Sequence, residues 1–170
     1  MSPDQRKVAI GAASGIVTML VAVWALSQAL PGLEDNAGPG ARLAFAAKWI
    51  AFAALPLFAA VVSVGNERFL SEAIDPTLGK ESKAMIVNGR VVDNTVQQYL
   101  LFVAASLAVA ASASGQQLGL IAAAALLFVC FRVAFWIGYR IHPLYRAFGM
   151  SSTAYLNVLL FGAAMWMSWR

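Results

Sequence analysis

Five long apolar stretches divide this 170-residue chain, near residues 8–30, 43–64, 94–114, 118–140 and 153–169. About 20 apolar residues in a helix cross a hydrocarbon core of about 30 Å, and each stretch is that long or nearly so. A backbone inside a bilayer has no water to bond, so it must satisfy its N–H and C=O groups internally. The expectation is therefore an all-α integral membrane bundle, with no room for a separate soluble domain. Composition agrees: 61% of residues are hydrophobic, 12% are charged and the mean hydropathy is +0.72. Soluble domains carry about a quarter charged residues. Arg6 and Lys7 precede the first stretch, and Ser27-Gln28-Ala29 loosely matches a small-residue cleavage site. That run exceeds the apolar region of about 7–15 residues found in signal peptides, so a retained helix is expected.

Basic residues orient the bundle. Arg6, Lys7, Arg68, Lys80, Lys83, Arg90, Arg140 and Arg146 fall in segments on one side, against Arg42 and Arg170 on the other. Eight against two places the N-terminus in the cytoplasm and the C-terminus outside. Trp24, Trp49, Trp166 and Trp169 then lie towards the outer face, as an interfacial aromatic belt does. Lys48 sits about one turn inside the second stretch and can reach the headgroups. The alanine-rich, compact chain suggests a bacterial inner membrane.

Arg132 is the exception. It lies eight residues before Arg140, so about 12 Å deeper than that end of the helix. A charge at that depth faces a bundle interior or a cavity rather than lipid. Arg132, Phe135 and Tyr139 share one helical face. Arg90, Asn94 and Gln97 are spaced i, i+4, i+7 and share a face if the third helix starts early enough. Arg140, His142, Tyr145 and Arg146 stand at the same end. Together these groups suggest a basic cavity opening to the cytoplasm and suited to an anionic ligand.

Simpler readings exist for each element. Asn94 with Gln97 matches the N-x-x-Q form of a capping box, and Asn88-Gly89 is a hairpin-turn signal. Cys130 faces an apolar run and reads as packing; a lone cysteine excludes an internal disulfide. With a single histidine, His142, no metal site is expected. Gly11 and Gly15 form a G-x-x-x-G that lets helices approach within a chain or between chains. The polar segment 66–93 reads as a short extension of the second helix followed by a turn-rich cover. No phosphate loop, nucleophile elbow or H-E-x-x-H is present, and nothing points to a nucleic-acid partner.

Two stretches carry a family resemblance. Arg90-Val-Val-Asp-Asn94-Thr-Val-Gln97 resembles the R-x-x-x-N-x-x-E that opens the second helix of the MAPEG family, the membrane-associated proteins of eicosanoid and glutathione metabolism. Phe131-Arg132-Val-Ala-Phe135-Trp-Ile-Gly138-Tyr139 resembles its third helix, where an arginine precedes a tyrosine by seven residues. The resemblance runs from about residue 43 to the C-terminus. It implies a four-helix domain over 43–170, with residues 1–42 an additional N-terminal transmembrane helix and outer loop. It further implies a homotrimer holding glutathione between subunits near the cytoplasmic face. Arg90, Asn94, Gln97 and Tyr139 would bind glutathione, and Arg132 and Arg146 would be the catalytic residues, Arg132 lining the same pocket and Arg146 stabilising the thiolate. Gln97 departs from the usual glutamate, and Phe135 stands where some members carry a polar ring.

The resemblance thus implies a glutathione-dependent transferase or peroxidase acting on a small lipophilic electrophile. The alternative is a non-catalytic membrane protein that binds an anionic lipid or a protein partner through the same basic cavity.

Overall fold

Ser2 starts the first helix with a full capping box: its hydroxyl accepts from Gln5 N–H at 3.2 Å, and Gln5 Oε1 accepts from Ser2 N–H at 2.8 Å. The computed structural model describes residues 1–169, so Arg170, counted above on the outer side, lies outside the described residues. Helix α1 spans Pro3–Ala29. The second apolar stretch is one membrane-length rod broken into α2, Pro39–Ala53, and α3, Leu55–Phe69. The break falls before Pro56, which has no N–H to donate and whose ring crowds the carbonyl four residues back. Helices α4 (Lys83–Ser112), α5 (Gly119–Ile141) and α6 (Ala147–Ser168) complete the bundle. Five rods are long and apolar enough to cross a membrane.

The segment between α3 and α4 is the expected turn-rich cover, but it is shorter than the sequence suggests. It holds two 3-10 turns, Glu72–Ile74 and Pro76–Leu78. Asp75 Oδ1 accepts from Thr77 N–H at 2.8 Å and from its hydroxyl at 2.6 Å, which holds the Asp75 carboxyl below the usual carboxylate range. Ser82 then caps α4, accepting from Met85 N–H at 3.1 Å. Two sequence readings are corrected here. Asn88-Gly89 is not a hairpin turn, and Asn94 with Gln97 is not a capping box, because both pairs lie inside α4. The helix begins where a serine satisfies its first free donors, well before the asparagines.

Helix α5 fills the centre, with the run Ile121–Ala125 buried throughout. Phe128 packs on Phe102 of α4 at 5.0 Å between ring centroids. Cys130 is exposed on the outer side of α5, so its reading as packing does not hold. Small residues set the helix crossings. A Cβ on Gly149 of α6 would lie 2.5 Å from Phe131 O and Phe135 N of α5. Gly11 and Gly15 are used within the chain, where α1 meets α6: a Cβ on Gly15 would lie 2.5 Å from Phe148 O. Ser151 and Ser152 reinforce that seam, donating to Ala12 O at 3.1 Å and Gly15 O at 3.0 Å.

Gly15→Val is therefore expected to destabilise the protein by about 1–3 kcal/mol through overpacking. Its thermal midpoint in detergent should fall below wild type. An unchanged midpoint would show that this glycine does not act at the α1–α6 seam.

Candidate functional site

Arg132 is 1% exposed, the largest of the fully buried side chains. Its Nη2 donates to Thr95 Oγ1 of α4 at 2.7 Å and its Nη1 to Thr153 Oγ1 of α6 at 3.3 Å. Each threonine hydroxyl passes its own proton to a carbonyl one turn back, Val91 O at 2.6 Å and Gly149 O at 2.8 Å. Arg132 forms no ion pair among the described residues, and its buried Nε has no partner. The Phe135 ring centroid lies 4.0 Å from the guanidinium carbon. Two neutral hydroxyls and one aromatic face thus accommodate a charge that lipid would exclude.

Above Phe135 the column continues outward. Phe135 meets Tyr139 at 5.8 Å and 65°, and the Arg146 guanidinium carbon lies 4.8 Å from the Tyr139 ring. From the mouth inward the order is cation, ring, ring, cation. One face of α5 supplies the three inner members because positions 132, 135 and 139 lie one turn apart.

Beside this column is a cleft of about 190 Å³. Arg90, Asp93, Asn94 and Gln97 of α4 form one wall; Phe135, Tyr139, Arg146 and Met150 form the other. Asn94 Oδ1 is buried with no hydrogen-bond partner. A buried acceptor left unmet costs about 1–3 kcal/mol, so this atom calls for a donor. Arg90, Tyr139 and Arg146 also border a second cleft of about 340 Å³, whose other members are Lys83, Ile86, Val87 and Pro143. The same three side chains separate a polar cleft from a largely apolar one.

Five of the six site residues read from the sequence therefore converge: Arg90, Asn94, Gln97, Tyr139 and Arg146. Arg132 lies one layer deeper, behind Phe135, and does not border the cleft. Asp93 borders it and was missed, although it lies three residues after Arg90 and four before Gln97; it is the cleft's one carboxylate. Gln98 turns away and binds Asn157 of α6, accepting from Nδ2 at 3.0 Å. His142 and Tyr145 pack against each other, tilted, with ring centroids 5.3 Å apart in the α5–α6 connection and, like Arg140, border neither cleft.

No curated protein and no solved structure matches the chain significantly. The sequence model of the MAPEG family does match, over residues 43–166, which takes in most of α2, all of α3, α4 and α5 and all but the last residues of α6, leaving α1 outside. With that match covering most of its length, and with a helical membrane bundle beneath it, the chain belongs to the MAPEG family.

Proposed function

We propose that this protein is a glutathione-using membrane enzyme of transferase or peroxidase type, acting on a lipophilic electrophile. The observation that supports this most is the cleft itself: two arginines facing each other across it, with one carboxylate and an unmet buried amide oxygen on the α4 wall. Glutathione carries two carboxylates, one ammonium and two peptide N–H groups, so each of these protein groups has a complement. Arg90 suits a carboxylate, where a guanidinium makes charge-assisted bonds. Asp93 suits the ammonium and restores the charge that Gln97 lacks. Asn94 Oδ1 suits a peptide N–H.

When bound, glutathione supplies the thiol that attacks the electrophile. The chain's task is to favour the charged form of that thiol, which a nearby cation does. Arg146 is the residue for this role, held over Tyr139 and facing both clefts. The second cleft, with Ile86, Val87 and Pro143, suits an apolar partner arriving from lipid. Arg132 acts as a positioning residue: it fixes Phe135, and Phe135 fixes Tyr139. The polar cleft of one chain, about 190 Å³, is smaller than the about 300–1,000 Å³ usual for ligand sites. A homotrimer in which a neighbouring subunit completes the wall resolves that shortfall. The basic residues at this end suit a cytoplasmic mouth in a bacterial inner membrane.

A second reading rests on Lys83, Arg90 and Arg146 around the apolar cleft: a site for an anionic lipid, without catalysis. Calorimetry on the purified protein in detergent separates the two. Saturable glutathione binding is expected for wild type, weakened about tenfold in Asp93→Asn through loss of one charge-assisted contact. No binding at millimolar glutathione would favour the lipid reading.

Arg132→Leu should leave the bundle folded while removing the bonds that fix the register of α4, α5 and α6, because Thr95 and Thr153 keep their carbonyl partners and buried charges are often replaced by apolar groups without loss of stability. Glutathione affinity should nevertheless fall about tenfold as Phe135 loosens. Equal affinity in wild type and variant would reduce Arg132 to a packing role.

A further inference from the structure

A cavity larger than the cleft described above lies elsewhere in the bundle. It has a volume of about 670 Å³ and lies between α3 and the start of α4, under the connector that joins them. Ala59, Val62, Leu70 and Met85 make most of it apolar. Ser63, Glu67, Lys80 and Ser82 add polar groups. Ala59 lies ten residues before the end of α3, so the cavity reaches about 15 Å along the rod, from the headgroup level towards the acyl chains.

Glu67 is the group that needs explaining. Asn88, fully buried on α4, donates from Nδ2 to Glu67 Oε1 at 2.8 Å and to Ser63 Oγ at 3.2 Å. Trp136 of α5 donates to Asn88 Oδ1 at 2.8 Å and fixes the amide's orientation. That network satisfies one carboxylate oxygen. The other, Oε2, is buried without a partner. The neighbouring cations are already engaged: Arg68 pairs with Glu81, and Lys80 Nζ lies 3.1 Å from Glu72 Oε2. These two ion pairs also pin the connector over the cavity. A half-satisfied carboxylate beside a roomy, mainly apolar cavity requires a donor from outside the chain.

We infer that this cavity holds a membrane lipid with a primary-amine headgroup, its ammonium on Glu67 Oε2 and an acyl chain along Ala59 and Val62. A carboxylate is met most strongly by a cationic donor, and the apolar depth suits a hydrocarbon tail. A soluble amine meets only the first requirement. The site is separate from the glutathione cleft, sharing no bordering residue with it.

The test is native mass spectrometry of the full-length protein released from nanodiscs containing equal parts phosphatidylethanolamine and phosphatidylcholine. Wild type is expected to retain phosphatidylethanolamine several-fold over phosphatidylcholine. Glu67→Gln, which removes the charge but keeps an acceptor for Asn88, should bring the ratio to that of the bulk lipid. Val62→Trp fills the cavity without touching the Asn88 network and should do the same. Equal retention of both lipids by wild type would overturn the assignment, leaving water as the partner of Oε2. Enrichment that survives either folded variant would overturn it as well, since the amine would then be recognised elsewhere.

Discussion

The charge of Arg132, buried within an apolar helix, constrains everything around it. No carboxylate among the described residues offsets it. Instead α4 and α6 each bring a threonine to the same depth, and α5 folds an aromatic ring of its own over the guanidinium. Three helices are thereby held in register by one side chain. Gly149 makes this possible, because only a residue without a side chain lets the α6 backbone come so close to Phe131 and Phe135. The aromatic rings then transmit that register to the mouth, where Tyr139 supports Arg146.

Polar groups inside the bundle fall into two layers. Near the basic end, Asn88 ties α3, α4 and α5 together through Glu67, Ser63 and Trp136. Deeper, Arg132 ties α4, α5 and α6. Between hydrocarbon and protein there is little hydrophobic difference to drive association, so close packing and such bonds carry it. The two layers leave three atoms unmet that matter here: Asn94 Oδ1, Glu67 Oε2 and Arg132 Nε. Two of them border cavities, and those are where ligands are proposed.

Much of this was legible in the sequence, for physical reasons. A charge in a long apolar run announces a buried site, and helical spacing places Phe135 and Tyr139 beside it. The positions of Arg90, Asn94 and Gln97 follow once α4 is known to start early. That start was not legible, because Ser82 is an ordinary loop residue until its hydroxyl is seen on Met85 N–H, while Asn88-Gly89 carries a strong turn signal. Asp93 was overlooked because an acidic residue at a helix entrance reads as solvated. The depth of Arg132 behind Phe135 depends on which way two side chains pack, and spacing alone does not give that. The cavity beneath the connector depends on ion pairs formed between residues eight and thirteen positions apart in a turn-rich segment.

The central claim is that Arg146, steadied by the column beneath it, holds a thiol in its charged form. Ultraviolet difference spectroscopy of the thiolate, on mixing glutathione with the purified protein near neutral pH, tests this most directly. The account requires a saturable thiolate absorbance in wild type that disappears in Arg146→Leu. No thiolate signal in wild type, at glutathione concentrations that calorimetry shows to be saturating, would contradict it.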